Sequence, residues 1–198
     1  MISEPIVIVG PAQEPVTLAE VKTFLREDVS DPFNDAQIQF LAQVAREHIE
    51  GQTNRRLISQ TLRVFADGWP VVDPFRLPVG PVSAISHIHY YDTEDTHYVY
   101  PASNYDFDGN HNPPLILRKY MKLWPSETLR PLNPIHIQFV AGYASPLAIP
   151  PRLRQAVLML IATLYRHRET VTVGNTAAVA TLIPQHFQNF LDSLKIHA

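Results

Sequence analysis

The pattern of apolar and polar residues changes twice along the chain. Near the N-terminus apolar residues recur every three or four positions, which predicts amphipathic helices at about 18–26 and 36–53. From 57 to 140 the period falls to two, which is typical of strands, and from Pro150 it becomes helical again. The pattern predicts an α+β fold, namely a helical bundle with an antiparallel β domain inserted between its second and third helices.

The third helix is predicted to be the centre of the bundle. Between Ala156 and Tyr165 only Thr163 is polar, so this helix is apolar on every side and must be surrounded. Pro151 suits the first helical turn, and the apolar run is well short of the roughly 18 to 20 residues that span a bilayer. We therefore predict a core helix, covered by this chain or by a neighbouring copy. Leu160→Asp is expected to unfold the protein.

The β domain is predicted to contain about six strands. They lie at 57–65, 74–78, 84–91, 96–100, 115–119 and 135–140. The N-terminal arm contains Ile6–Val9, which is either a short strand or a strap across a neighbour, and Pro184 opens a last amphipathic helix. The predicted division is an arm with two helices at 1–56, the β domain at 57–145, and the apolar helix with the C-terminal helix at 146–198.

Composition narrows the classes of function. The net charge is -3 and 18% of the residues are charged, so the chain lacks the basic field that sequence-specific nucleic-acid binding needs. It has no cysteine, which excludes disulfides, thiolate zinc sites and cysteine nucleophiles. No phosphate-binding glycine loop, serine-hydrolase elbow or H-E-x-x-H motif occurs. No signal-peptide pattern is visible near the N-terminus, so cytosolic synthesis is expected.

Three histidines are the strongest candidates for chemistry. His87 and His89 lie two residues apart, which places them on the same face of a strand, and His97 lies on the predicted hairpin partner. Three converging imidazoles could bind zinc with an open coordination position, which makes a small metal-dependent hydrolase the alternative function. The other interpretation is a polar stripe on the solvent face of the sheet. The sequence favours the stripe because it names no fourth ligand or supporting partners.

Two acidic segments are weaker candidates. The run 92–95 could form a carboxylate pair with Asp106, but it is more simply explained as a solvated hairpin tip. The segment 106–110 resembles a calcium loop, although its glycine comes too early and no glutamate follows at the required distance. We therefore predict turns at both places.

Aromatic residues in predicted loops are further candidates. Trp69 and Trp124, each followed by proline, and Tyr120 and Tyr143 either cap the β core or anchor a protein interface. A cleft lined by the two tryptophans would instead indicate a sugar-binding β module. The uncharged segment 170–181 is either a linker or a segment that becomes ordered against a partner.

Several short motifs occur in a recognisable order. They are Pro15-Val16-Thr17-Leu18-Ala19-Glu20, Leu77-Pro78, Pro81-Val82, Tyr90-Tyr91-Asp92, Trp124-Pro125, Phe139-Val140-Ala141-Gly142-Tyr143, Arg154-Gln155-Ala156 and Tyr165-Arg166-His167-Arg168-Glu169, together with Ile85, Ile88, Tyr105 and Pro151. This ordered set resembles the head-tail connector (adaptor) proteins of tailed bacteriophages, prophages and gene-transfer particles. The resemblance covers about residues 14 to 169.

The resemblance implies a structural virion protein of the neck, made in the host cytoplasm, with no enzymatic activity, cofactor or bound metal and no membrane contact. Such proteins form a homo-oligomeric ring, commonly twelvefold, between the portal and the stopper or tail-terminator proteins, and DNA passes through the lumen. A mildly acidic chain suits a DNA channel, since a basic lining would hold the phosphates. The candidate interface residues are Trp69, Trp124, Tyr143, Arg166, Arg168, Val171, Val173, Val179, Phe187 and Phe190.

Overall fold

The computed structural model describes residues 2–71, 74–167 and 185–196. Over these residues the chain forms four α-helices and eight β-strands. The helices are α1 (Leu18–Leu25), α2 (Asp35–Thr53), α3 (Pro151–Arg166) and α4 (Gln185–Asp192). The strands are β1 (Ile6–Val9), β2 (Gln60–Ala66), β3 (Phe75–Arg76), β4 (Val82–Tyr91), β5 (His97–Tyr100), β6 (Tyr105–Asp108), β7 (Leu115–Arg118) and β8 (Ile135–Ala141). The predicted α+β class, with antiparallel strands between the second and third helices, is confirmed.

The chain divides into two compact units. The helical unit contains Gln13–Thr53 and Ala144–Lys195, and the β unit contains Met1–Ala12, Asn54–Tyr143 and Ile196–Ala198. The N-terminal arm joins the β unit because β1 pairs with β2 in an antiparallel ladder.

Helix α1 begins with the capping box that the sequence predicts. The Thr17 N–H donates to Glu20 Oε2 at 2.8 Å, and the Glu20 N–H donates to Thr17 Oγ1 at 3.2 Å. These bonds satisfy backbone donors that have no partner within the helix, and the bond from the Thr17 N–H is the largest cause that lowers the pKa of Glu20. Arg26 ends the helix with a φ of 62°, in the left-handed region.

Helix α2 buries two charged side chains, although the polarity of these residues favours exposure. Ile38 and Ile49 are buried as expected, but Arg46 and Glu50 are buried as well. Arg46 Nε donates to Glu14 Oε2 at 2.9 Å, and Arg46 Nη1 lies 3.5 Å from Glu50 Oε2. These two charged side chains are buried together because an ion-pair network compensates part of their desolvation.

Lys22 of α1 is a second buried charge, with only 2% of the residue exposed. Its Nζ donates to the carbonyl oxygens of Asp31 at 2.6 Å and Val29 at 3.3 Å, and it forms an ion pair with the Asp35 carboxylate. Lys22 therefore ties the loop between α1 and α2 to the start of α2.

Helix α3 is buried along one side by other helices of this chain. Its buried positions follow a helical stripe that includes Leu153, Val157, Leu160 and Ile161, and α1 and α2 both pack against this helix. Met159, on another side of the same helix, is 36% exposed. The described residues of this chain do not fully cover this side, and its coverage by a neighbouring copy stays a prediction. No helix in the described part of the chain is long and apolar enough to cross a membrane.

The β unit contains two antiparallel sheets. The larger sheet has the strand order β1-β2-β8-β4-β5, and the smaller sheet has the order β3-β7-β6. The structure adds β6 at Tyr105–Asp108 to the six strands that the pattern predicts, and Ile6–Val9 in the arm forms a strand, which is one of its two predicted alternatives. The expected turn at 106–110 is therefore partly strand, and the turn begins only at Asp108.

Strands β2 and β8 show the two-residue period most clearly. Buried and partly exposed positions alternate along both strands. Leu62 and Val64 face the core from β2, and Ile137 and Phe139 face it from β8. The alternate residues of both strands lie on the other face of the larger sheet.

Gly142 follows β8 at a place where a side chain does not fit. Its φ is 110°, and a Cβ at this position would lie 2.2 Å from the Ile58 carbonyl oxygen. Its N–H donates to the Pro81 carbonyl oxygen at 2.8 Å, and the neighbouring Tyr143 carbonyl accepts from the Ser59 N–H at 2.9 Å. The approach of two backbone segments therefore requires glycine here.

Candidate functional site

The predicted histidines lie together on the face of the larger sheet that points away from its core. Cross-strand pairing sets His89 opposite His136 and Tyr91 opposite His97, and paired residues share a face. The His87 and His89 rings stack with centroids 3.9 Å apart, and His89 meets His97 edge-on at 4.4 Å. We call this the outward face. On the described strands it comprises Ile6, Thr61, Arg63, Phe65, Ala84, His87, His89, Tyr91, His97, Val99, His136, Gln138 and Val140.

The ring arrangement does not suit a metal ion. Among the residues that the structure describes, no group of three or more His, Asp or Glu side chains is placed to hold one. The imidazoles pack ring against ring, and ring packing differs from the convergence of nitrogen atoms on one point that zinc requires. The predicted convergence of His87, His89 and His97 on one face is confirmed, but the zinc hypothesis built on it is not supported.

Burial and neighbouring positive charge both lower the pKa of these imidazoles. Burial is the largest cause that lowers the pKa of His89, to about 4, followed by the charges of His87, His97, His136 and Arg63. Burial is also the largest cause that lowers the pKa of His87 and of His136. His87, His89 and His136 are therefore neutral near pH 7.

Two arginines bring positive charge to the outward face. Arg63 Nη2 donates to Gln138 Oε1 at 2.9 Å. The guanidinium of Arg130, from the loop before β8, lies 4.0 Å from the centre of the Tyr91 ring and donates to Asp95 Oδ1 at 3.1 Å. Sequence reasoning missed both His136 and Arg130. The signal that could have found His136 is the alternation along β8, which puts His136 and Gln138 on the same face of the strand.

Trp69 and Trp124 cap the β core. Their rings stack on each other with centroids 4.9 Å apart at an interplanar angle of 11°, and both pack partly buried against the core cluster. Tyr100 lies 5.4 Å from Trp69 and 5.1 Å from Trp124 between ring centroids. Because the two indoles fill the space between them, they do not form the cleft that a sugar-binding module needs.

The acidic candidates are engaged in turns and ion pairs. Asp92 Oδ1 accepts from the N–H groups of Glu94 and Thr96, each at 2.9 Å. Asp95 pairs with Arg130, and Asp106 pairs with Lys119 at 3.7 Å. The hairpin-tip interpretation is confirmed for 92–95, and these contacts do not support the carboxylate pair with Asp106.

The proposed calcium segment also forms a turn. Asp108 Oδ1 accepts from the N–H groups of Asn110 at 2.9 Å and His111 at 3.2 Å. This carboxylate oxygen closes the turn after β6 by bonding the backbone, which is the usual role of aspartate at a turn.

The remaining interface candidates differ in accessibility. Arg166 is exposed at the end of α3, Tyr143 and Phe190 are half-buried, and Phe187 is only 5% exposed. Phe187 packs with Phe190, their ring centroids 6.4 Å apart, so little of the Phe187 ring is open to a partner. The candidates that lie outside the described residues are Arg168, Val171, Val173 and Val179.

A prominent exposed loop follows β7, and sequence reasoning identified only Tyr120 in it. Tyr120, Met121 and Leu123 are 92%, 82% and 77% exposed. The Tyr100 hydroxyl donates to the Leu123 carbonyl oxygen at 3.2 Å, and Arg118 Nη1 donates to the Lys122 carbonyl oxygen at 3.0 Å. These bonds hold a strongly apolar loop in place at the surface.

The fold is that of chains in the necks of gene transfer agent particles. One such chain, from the neck of an empty GTA particle computed with C6 symmetry, is 21% identical with a TM-score of 0.79, and the match covers 99% of this chain and 97% of that chain. A chain from the virion of a native gene transfer agent particle is 23% identical with a TM-score of 0.77, over 99% and 97%. A third, from the neck of a native GTA particle computed with C12 symmetry, is 22% identical with a TM-score of 0.68, over 96% of each chain. No family model matches the sequence, and no curated protein matches it significantly.

Proposed function

We propose that this chain is a structural protein of the neck of a phage or a phage-like particle, a head-tail adaptor. Copies of it form a ring between the portal and the stopper or tail-terminator proteins, and double-stranded DNA passes through the lumen. The protein is made in the host cytoplasm and acts in the particle, through the surfaces that it presents to other subunits.

The observation that carries the proposal is the end-to-end likeness to neck chains. At a TM-score of 0.79 the match covers 99% of this chain and 97% of that chain, so both units of this chain have a counterpart there. If the two chains shared only one domain, the match would cover only that part of each chain. The symmetric necks in which the similar chains occur, computed with C6 and C12 symmetry, support a ring of identical copies.

The candidate chemical groups support a role without catalysis. The stacked histidines pack ring against ring, and the acidic candidates bond backbone groups or cations. These contacts are structural ones, whereas general acid-base catalysis requires a group placed to reach the proton of a substrate. A separate prediction is that a protein interface includes Trp69, Trp124, Tyr143 and Arg166.

Particles from the source provide the test. We expect mass spectrometry of purified particles to detect the chain, and cryo-EM of their necks to show it as a ring next to the portal. Particles made without the gene should contain full heads that lack attached tails. Purified particles that contain no copies of the chain, or a chain located outside the neck, would overturn the proposal.

A further inference from the structure

The outward face of the larger sheet is unusual in its charges. None of its described strand residues is Asp or Glu, whereas the whole chain carries 19 acidic and 16 basic residues. The face instead carries Arg63 and four histidines, with the Arg130 guanidinium over Tyr91. The acidic residues of the chain therefore lie outside the described strands of this face.

The face is also partly desolvated and continuous. Ring contacts run from Phe65 to His136 at 4.8 Å and from His136 to Tyr91 at 5.0 Å. They continue from Tyr91 to His97 at 5.2 Å and from His97 to His89 at 4.4 Å. A continuous set of ring contacts with guanidinium groups beside it has the composition of a protein interface, in which aromatic residues and arginine are enriched.

Each strand or loop around His89 places an aromatic ring or a positive charge near this imidazole. The charged and titratable groups are Arg63 on β2, His87 and Tyr91 on β4, His97 on β5, His136 on β8 and, from loops, Arg130 with its partner Asp95. Asp95 is 75% exposed in its side chain and bonds the guanidinium of Arg130. The imidazoles thus lack a carboxylate of their own among the described strand residues of this face.

We propose that the outward face is an interface between copies of this chain, covered by a carboxylate-bearing surface of the next copy. The inference rests on the proposed ring. A ring of identical subunits uses two different patches on each subunit, so a positive patch needs a negative one elsewhere on the same chain. The distribution of charge described above meets this condition, and complementary charges fix register and favour correct association.

The backbone of double-stranded DNA is a poorer fit to the face. Phosphate binding depends on several lysine and arginine side chains that release counterions. Here only Arg63 lies on the face, with the Arg130 guanidinium beside it, and burial lowers the pKa of His87, His89 and His136 so that these imidazoles are neutral near pH 7. Uncharged imidazoles contribute little to holding a polyanion.

Binding of a carboxylate makes association depend on pH. A carboxylate beside His89 raises the pKa of this imidazole above its value in the free chain, which is about 4. Because the bound form then holds the proton more tightly, association strengthens as the pH falls through the raised pKa towards the free value of about 4. High salt opposes it by screening the charges.

The experiment measures self-association of the full chain by sedimentation velocity at about pH 8 and about pH 5, in low and high salt. We expect a larger mass at the lower pH and a smaller one in high salt. Arg63→Glu places a carboxylate on the outward face and should weaken association about tenfold or more, and Arg63→Lys should retain most of it. Arg152→Glu, an equal charge change at an exposed position of the helical unit, should stay within about twofold of the original chain.

Each other outcome counts against the inference. A chain that stays monomeric at both pH values, or equal weakening by Arg63→Glu and Arg152→Glu, overturns it. Fluorescence anisotropy with a short DNA duplex would overturn it in favour of nucleic acid if Arg63→Glu abolished DNA binding and left self-association unchanged. If the original chain is present in necks and Arg63→Glu assembles there in equal copy number, the outward-face inference fails while the proposed function stands. Absence of the original chain from necks defeats the proposed function itself.

Discussion

The two faces of the larger sheet show how one strand pattern serves folding and binding separately. On the core face Leu62, Val64 and Ile137 are completely buried. On the outward face, the neighbours of these residues along the same strands are Arg63 and Gln138, which bond each other, and His136. Apolar burial stabilises the unit from one side, so the other side is free to carry groups whose desolvation would be costly in a core. The outward residues can therefore be chosen for a partner.

Helix α3 shows a similar contrast without a change in polarity. Leu160 is 2% exposed and Met159 is 36% exposed, yet both are apolar. In the sheet the polar residues reveal the open face, whereas in α3 the sequence does not distinguish the open side from the buried one. The comparison predicts that the effect of a substitution depends on the face and not on the hydrophobicity of the residue replaced.

The largest effect is expected from Leu160→Asp. An unpaired carboxylate at this buried position should cost more than about 4 kcal/mol and leave the helical unit unfolded. Met159→Asp, one residue earlier, should cost about 1 to 2 kcal/mol because its carboxylate can reach water. Urea unfolding followed by circular dichroism measures both. Similar losses for the two variants would show that the two sides of α3 are equally enclosed.

A smaller effect is expected from neighbouring residues of β8. Ile137→Ala removes a completely buried side chain and should lower the free energy of unfolding by about 2 to 5 kcal/mol. Gln138→Ala removes the hydrogen bond from Arg63 on the outward face and should cost less than about 1 kcal/mol. The same urea titration gives both values, and a larger loss for Gln138→Ala than for Ile137→Ala would contradict the division of the sheet into two faces.

The period of two and the capping box made much of the fold predictable. Alternation identified β2 and β8 and the side of each strand that faces the core. The Thr17 and Glu20 pair fixed the start of α1. These features depend on residues close in sequence, which is why one sequence suffices to find them.

The features that sequence reasoning missed depend on partners far along the chain. Arg46 is buried because Glu14, 32 residues earlier, meets it. Strand β6 is a strand because it pairs with β7. Polarity suggested exposure at Arg46 and a turn at 106–110, and in both places tertiary contacts override the local preference.

The candidate site was predictable in position but not in chemistry. The spacing of His87 and His89 gave their common face, and the hairpin brought His97 to it. Spacing does not determine whether rings stack or nitrogen atoms converge, because this depends on side-chain rotamers and on neighbours such as His136 from β8.

The sharpest test of the outward face is the response to acid. The pKa of His89 is about 4 in the folded chain and has its ordinary value of 6.5 when unfolded. The unfolded chain therefore binds more protons between these values, so the contribution of His89 lowers stability as the pH falls from 6.5 to about 4. Urea midpoints of the original chain and of His89→Gln, measured across this range, should converge or cross as the pH falls, because the glutamine variant loses less stability.

The comparison needs a control for packing. At about pH 8 the imidazole is neutral in both the folded and the unfolded chain, so the difference between the two proteins there reports packing alone. Val99→Gln, opposite His89 in the ladder, changes the same part of the face without a titrating group, and its midpoint should differ from that of the original chain by the same amount at every pH. A pH-independent difference for His89→Gln as well would mean that this imidazole is not held neutral by its surroundings. The outward face would then lack the desolvated, carboxylate-poor character on which its binding role depends.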